Sequence, residues 1–391
     1  MTGAPDSDFY SLELLLDDDG RQLLARVRGF MEKEIEPVIN RYWTREEFPR
    51  DLIPFIGQLG LAGLAYDGYG CGGRGSLLDG MVAMEVARTD PSIATFLGVH
   101  GGLAMGSIYL CGSEQQKQRW LPAMARMEKI GAFGLTEPEV GSGAARGLTT
   151  TARREGDEWI LDGQKKWIGN ATFADYVIIW ARDVADNQVK GFVVEPPTAG
   201  FATTKMRDKI ALRVVQNAVI TLDGVRVPEA SRLQNASSFR DTAKVLRLTR
   251  AGVAWMAVGC ARGAYEHALA YAKERQQFGR PIAGFQLVQD QLVRMLANVT
   301  SSACLCVRLS QLQDAGIADD EHSALAKAFC TVRMRETVGL ARELLGGNGI
   351  LLESHVGRFV ADAEAIYSYE GTREINTLIV GRAITGTGAF V

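Results

Sequence analysis

Histidine is scarce in this chain: four scattered residues in 391. The six cysteines, Cys71, Cys111, Cys260, Cys304, Cys306 and Cys330, form no C-x-x-C pair. Cys304 and Cys306 are two apart, and on a helix that spacing turns them away from one shared ion. No metal centre is expected, and the thiols read as buried and reduced. Excess charge is missing too. A net charge of −3 and a pI of ≈ 5.9 exclude nucleic acid or an acidic membrane surface as a partner held by bulk charge, so an anionic ligand needs local groups. No apolar run approaches the ~20 residues of a membrane span. The opening "MTGAPDSDFYSLELLLDDDG" has no basic n-region, and the closing "GAFV" is not a peroxisomal address. The expectation is a cytoplasmic protein without a membrane span. Internal repeats and low-complexity tracts are also absent.

What is present is an ordinary globular composition, 47% hydrophobic and 23% charged, on a chain long enough for two or three regions with sizeable cores. Up to about residue 129 the pattern is helical. Leu23, Leu24, Val27, Phe30, Met31 and Ile35 recur at three- and four-residue steps, and Pro37 is expected to end that helix. From 130 to 238 short β-branched and aromatic runs take over ("YVIIWAR", "KGFVVEP", "NAVITLDGVRVP"). Asp162-Gly163 inside "DEWILDGQKKWIG" reads as a hairpin turn. From 239 to 391 long helices return, with Leu287, Leu292, Leu296 and Val299 at helical spacing. The predicted class is mainly α with a central β domain, in an α+β order rather than βαβ alternation.

Several motifs carry two readings each. "GYGCGG", Gly68 to Gly73, matches G-x-G-x-x-G but lies between helices, so a loop is favoured over a dinucleotide fingerprint. In "FGLTEPEVGSGA", Thr136, Ser142 and the N–H groups around Gly141 can bind a phosphate or a polar ring edge, or form a plain loop before a strand. Trp167 in "GQKKWIGN" is a core residue unless a flat cofactor stacks there. Arg275 in "RQQFGRPIAGFQ" is either solvated or a bidentate phosphate ligand. "ELLGGNG", Glu343 to Gly349, is a helix C-cap or a close backbone approach to a ligand. Glu370, before Gly371-Thr372 in "YEGT", is either a solvated acid beside a turn or a base.

The order of these motifs is more specific than any one of them. "GLTEP…GSG", "KWIGN", "ERQQFG", "LLGGNG" and "YEGT" together resemble the acyl-CoA dehydrogenase and oxidase flavoprotein family over nearly the whole chain. The nearest branches are glutaryl-CoA dehydrogenases ("GRAITG…AF") and plant short-chain acyl-CoA oxidases ("GNATFAD", "VVQN", "RELLGGNGIL"). The resemblance implies an N-terminal helical domain (1–129), a β-barrel-like middle domain (130–238) and a C-terminal four-helix bundle (239–391), assembled as a homotetramer. It implies FAD, with Phe133, Leu135, Thr136, Gly141 and Ser142 lining it, Thr136 on the ring, and Trp167, Ile168 and Gly169 beside it. Arg275, Phe278, Gln286, Glu343, Leu344, Gly346 and Gly347 fall on cofactor positions, several of them reaching a neighbouring subunit's FAD, as do Thr372 and Glu374. Ser142, Arg250, Tyr369, Gly371 and Phe390 fall on acyl-CoA contacts, and Glu370 on the catalytic base.

The implied reaction turns a short- or medium-chain acyl-CoA into trans-2,3-enoyl-CoA in fatty acid β-oxidation, with an electron-transfer flavoprotein as acceptor. Alternatives are a short-chain oxidase using oxygen, a glutaryl-CoA dehydrogenase, and a non-enzymatic CoA- or flavin-binding assembly protein. Three departures from the family pattern stand out. Gly169 replaces a threonine found in many dehydrogenases and is expected to open space at the flavin edge. Glu343 and Arg247 replace Gln and Asp or Asn, and Glu343 is expected to need a compensating partner. Ala94 replaces the arginine that glutaryl-CoA dehydrogenases set against the distal carboxylate, and Ala87 and Gly98 offer no polar group either.

Overall fold

The computed structural model describes residues 7–389. Phe390 therefore lies outside the described residues. Helices fill the first region, from Asp18–Phe30 to Glu114–Ala125; seven strands make the second; helices return from Phe239 onward. This is the expected class and order.

Pro37 does not end the first helix. Met31–Ile35 form a π-helical turn, closed by the Glu36 N–H on the Met31 carbonyl, and the helix resumes as Glu36–Arg45 with Pro37 in its first turn. The widened turn frees the carbonyl that a proline ring would otherwise strike, so the chain bends and continues. A second correction concerns apolar runs. Pro91–Cys111 and Gln286–Asp314 are long and apolar enough to cross a bilayer by length and composition. The first is 67% buried inside the fold, the mark of a core helix.

The strands are β1 (Gly131–Gly134), β2 (Thr151–Glu155), β3 (Glu158–Ile168), β4 (Tyr176–Asp183), β5 (Val189–Val194), β6 (Phe201–Lys205) and β7 (Ala218–Pro228). They form one mixed sheet in the order β1-β4-β2-β3-β7-β6, with β5 also on β4. β1 and β2 pair β4 in parallel; the other pairs are antiparallel. Asp162-Gly163 is not the hairpin turn. β3 runs straight through it with a shift of register against β7. Gly163 sits at φ 142°, and a Cβ there would lie 2.7 Å from Thr150 Oγ1. The Asp162 carboxylate accepts the Gly224 N–H at 2.7 Å. The turn between β2 and β3 instead uses Gly156, at φ 62°. Bulges of this kind bend a strand, and here they curl the sheet.

The 36-residue helix Phe239–Glu274 runs through the centre of the fold. Added Cβ atoms at its Gly259 and Gly263 would lie 2.1 Å from the carbonyls of Met84 and Arg88. Glycine at both places lets it press against the helix Gly75–Thr89 backbone to backbone. That crossing shapes the cavity described next.

Candidate active site

The helix Val356–Ser368 delivers Glu370. Arg358 fastens this helix through Asp90, in a fully buried ion pair, and through Asn40 Oδ1 at 3.1 Å. Trp43 Nε1 reaches Asp362 at 3.1 Å. After Ser368 the chain reverses tightly before the helix Arg373–Thr385, whose N-cap is Thr372. The reversal puts Glu370 at φ 52° and Gly371 at φ 90°. A non-glycine residue there costs about 1–3 kcal/mol and persists only where neighbours hold it. The holding group is Lys327. Its buried ammonium donates to the carbonyls of Tyr369 and Gly371, one on each side of Glu370. Asn376 Nδ2 adds bonds to the carbonyls of Gly371 at 2.9 Å and Thr372 at 3.0 Å.

Glu370 Oε2 is buried and accepts no hydrogen bond. Burial pushes its carboxyl above the usual range, against the Thr249 hydroxyl, the Lys327 ammonium and the Arg250 guanidinium, which pull it down. Burial also lowers Lys327, to about 8, against the opposing field of Glu370. Among the described residues the Glu370 N–H has no acceptor, so it is a free donor at the same spot.

Glu370 opens on a cavity of about 120 Å³ between the helices Gly75–Thr89, Pro91–Leu97 and Phe239–Glu274. Ala94, Gly98 and Met256 line it, and so do two carboxylates, Glu370 and Asp79; no Lys, Arg or His does. Tyr369 stands behind the wall, its hydroxyl 3.5 Å from Thr95 Oγ1 and 3.8 Å from Met256 Sδ. Arg250 is beside Glu370, with its Nε buried and unpartnered. Arg247 lies 3.9 Å and 3.8 Å from the carboxylates of Asp319 and Asp320, which supply its compensation. Ala87 faces Gly259 rather than the cavity.

The implied flavin residues gather on the adjoining face of the sheet. Phe133 and Leu135 are buried at the end of β1, and Thr136 follows, half-buried. The Lys166 N–H bonds the Thr136 carbonyl at 2.8 Å, clipping this segment to the end of β3. Trp167 stands there at φ 67° with 54% of its surface exposed, so it is not a covered core residue. Ile168 and Gly169 are buried. Gly141 and Ser142 are exposed in a loop anchored by Glu137. The Glu137 carboxylate is buried against Lys165 at 2.9 Å and accepts from Thr149 and Thr150. Burial opposes its ionisation, but Lys165 and these donors win and hold it down at about 2.

The expectation of open space at Gly169 is corrected. A Cβ there would meet Val99 Cγ2 at 3.1 Å and Val215 Cγ1 at 3.6 Å, so two valines already occupy the room a side chain would take. Gly98, beside Val99, lines the cavity at Glu370, so that cavity and the sheet face around Gly169 share a wall.

Arg275, Phe278 and Gln286 lie exposed around the end of the central helix, and Phe278 is 93% exposed. The Arg275 guanidinium makes no bond among the described residues. Glu343, Gly346 and Gly347 are exposed at the end of the helix Asp320–Leu344, with Leu344 half-buried, and among the described residues no cation pairs the Glu343 carboxylate. Thr372 caps its helix by accepting the Ile375 N–H at 3.3 Å, and Glu374 is exposed in the first turn. Gly68 to Gly73 form a loop between helices, not a strand-to-helix turn.

The histidines are less scattered in space than in sequence. Glu36, His267 and His355 bring possible ligand atoms within 4.8 Å of one another. Arg358 Nη2 lies 3.3 Å from His355 Nδ1, and its charge opposes a divalent ion there.

Sequence reading missed Thr249, Lys327, Glu137, Val99 and Asp79. Lys327 had a signal: it shares a helix face with Ser323, Cys330 and Met334 at three- and four-residue steps, a lone cation on a buried stripe. The others have none, because their partners are distant in sequence.

Three regions of the chain match acyl-CoA dehydrogenase domain families: the N-terminal domain at residues 17–128, the middle domain at 132–225 and the C-terminal domain at 239–385. The mitochondrial short-chain specific acyl-CoA dehydrogenase of Rattus norvegicus is 32% identical, over 93% of this chain and 90% of its own. A crystal structure of glutaryl-CoA dehydrogenase from Mycobacterium smegmatis superposes with TM-score 0.95 at 39% identity, covering 100% of both chains. A glutaryl-CoA dehydrogenase from the same organism in complex with FADH2 gives TM-score 0.95 at 36% identity over 98% of both. With three domain families matched in order and these relatives covered nearly end to end, the chain belongs to the acyl-CoA dehydrogenase family, FAD-dependent oxidoreductases acting on the CH–CH bond of an acyl-CoA.

Proposed function

We propose that this enzyme oxidises a short- or medium-chain acyl-CoA to trans-2,3-enoyl-CoA, with Glu370 as the base. The observation that carries this is the Glu370 carboxylate, buried, with an unpartnered oxygen, at the wall of an acyl-sized cavity. The α-proton of a thioester is weakly acidic, and burial raises the affinity of Glu370 for it. The free Glu370 N–H is placed to bond the thioester oxygen as negative charge develops there. The small residues around Glu370 exclude water from the acyl chain. FAD, when bound, supplies the acceptor for the hydride leaving the β-carbon. Phe133, Leu135, Thr136, Trp167, Ile168 and Gly169 would hold its ring, and Gly141 and Ser142 its approach. Arg275, Phe278, Gln286, Glu343, Leu344, Gly346, Gly347, Thr372 and Glu374 would reach the rest, several across a subunit boundary.

The exposure of Arg275 and Phe278, with Leu287 82% exposed on the next helix, supports a homotetramer in which these residues complete a neighbour's site. The reading includes domain boundaries after 129 and 238, a place in β-oxidation, and the cytoplasm as location. Val99 and Val215 packed at Gly169 favour an electron-transfer flavoprotein over oxygen as acceptor.

The test is anaerobic mixing of the yellow protein with butyryl- and hexanoyl-CoA. Flavin absorbance is expected to bleach, and later air to restore it slowly without peroxide matching turnover. A flavin that no acyl-CoA bleaches sinks the reading; peroxide at the turnover rate transfers it to the oxidases.

Lys327 is a positioning residue on this reading. Lys327→Met is expected to lower kcat about tenfold or more, since misplacing a reacting group is costly, with KM little changed. It also removes a cation that pulls the Glu370 carboxyl down. The acid limb of the kcat–pH profile is therefore expected to move to higher pH, a shift that simple loosening of the helix would not give.

A further inference from the structure

The cavity that Glu370 opens on holds a second carboxylate that the proposed chemistry does not use. Asp79 lies near the start of the helix Gly75–Thr89 and faces the cavity. Among the described residues its side chain has no hydrogen-bond donor and no ion-pair partner. Two more polar side chains in the same wall, Ser76 and Gln313, are also without side-chain partners. The backbone around them is satisfied: the Ser76 N–H bonds Asp314 Oδ1 at 2.6 Å, and the Ser76 carbonyl accepts from Ser310 Oγ at 3.3 Å. Asp79, Ser76 and Gln313 line one stretch of the cavity wall with these side chains unpaired among the described residues. Asp79 is half-buried and its carboxylate takes no hydrogen bond from the described residues, so its acceptor capacity is open to whatever fills the cavity.

The two carboxylates come from different elements of the cavity wall, Asp79 from the helix Gly75–Thr89 and Glu370 from the reversal before the helix Arg373–Thr385. Asp79 is influenced by burial and by Asp314, which push it up to about 6, while Glu370 is influenced by burial, Thr249, Lys327 and Arg250. Much of the remaining wall is apolar or small, including Val86, Ala94, Gly98 and Met256, so it does not fix a polar group between them. An acyl chain with its α-carbon at Glu370 and its tail at Asp79 meets a hydrogen-bond acceptor where a plain hydrocarbon tail would want a methyl-lined floor.

We infer that Asp79, with Ser76 and Gln313, selects acyl-CoA substrates whose acyl tail ends in a hydrogen-bond donor, a hydroxyl or an ammonium. This deepens the proposed acyl-CoA dehydrogenase reading and rests on it. The reaction at the α- and β-carbons is unchanged; the tail group is bound and not transformed. Above about pH 6 Asp79 is ionised, which strengthens its acceptance of such a donor.

The experiment compares ω-hydroxyacyl-, ω-aminoacyl- and unsubstituted acyl-CoA of equal length, from butyryl to decanoyl, with wild-type, Asp79→Leu and Asp79→Asn enzymes loaded with FAD. At the best-fitting length the wild type is expected to prefer a donor-tailed ester by at least ~10-fold in kcat/KM, as for a hydrogen bond to a charged group. Asp79→Leu is expected to reverse that preference. Asp79→Asn is expected to lose the amino ester and keep the hydroxy ester in part, which separates charge from hydrogen bonding. Calorimetric binding of the same esters to FAD-loaded Glu370→Gln protein gives a second readout that needs no turnover. An inert wild type would fail the catalytic reading while this binding comparison still tests Asp79. A plain-chain preference in the wild type, or a ratio unmoved by Asp79→Leu at every length, overturns the inference.

Discussion

The Glu370→Gln variant is expected to keep its yellow colour and lose at least ~10²-fold in the rate of flavin bleaching by acyl-CoA, the low end for removal of a general base. The amide keeps the shape of the carboxylate and its place between the two carbonyls that Lys327 holds. It has no proton affinity to offer the α-carbon. A drop of that size is about 2.7 kcal/mol of transition-state stabilisation. Because Glu370 Oε2 is buried and unpartnered, exchanging the carboxylate for a neutral isostere also removes the cost of a buried charge, so folding and flavin content are expected to hold. Stopped-flow absorbance at the flavin band measures the rate. Bleaching at the wild-type rate would mean that another group takes the proton.

Glutaryl-CoA is expected to be a poor substrate, at least ~10²-fold below butyryl- or hexanoyl-CoA in kcat/KM, equivalent to about 2.7 kcal/mol. A distal carboxylate inside an acyl cavity needs a cation, since an unpaired buried charge costs several kcal/mol. The cavity here is lined by Ala94 and Gly98 and by no cation at all. Arg88 is near in sequence but committed elsewhere: it pairs Glu32 at 2.6 Å, Glu85 at 2.6 Å and Glu266 at 2.7 Å. Asp79 adds a like charge to the wall. The likeness to glutaryl-CoA dehydrogenases therefore describes the scaffold, while the cavity residues set the substrate. Turnover of glutaryl-CoA to crotonyl-CoA and carbon dioxide in preference to butyryl-CoA would show that a cation reaches the cavity in the loaded enzyme.

Much of this was written in local pattern. Helical periodicity around Leu23 to Ile35 and again from Leu287 to Val299, with β-branched runs between, determined the order helix, sheet, helix, because period and residue type act over a few residues. The succession of short motifs ending in "YEGT" determined the family and pointed to Glu370. Local pattern misled where a neighbour overrode it. Asp162-Gly163 has turn chemistry, yet Thr150 and Gly224 close in on it and turn it into a bulge. Pro37 is a helix breaker, yet a π-turn absorbs it.

The tertiary structure alone decided the environment of each group. Gly169 promised a gap, and Val99 and Val215 fill it from other segments. Glu370 was an acid near a turn until Lys327, 43 positions earlier in sequence, was found holding the carbonyls on either side of it. Asp79 was one acid in a helix until the fold set it in the wall of the same cavity as Glu370, with no partner among the described residues. The physical reason is common to all three: sequence fixes what a side chain is, whereas burial, unmet hydrogen bonds and the field of distant charges exist only once segments far apart in the chain are packed together.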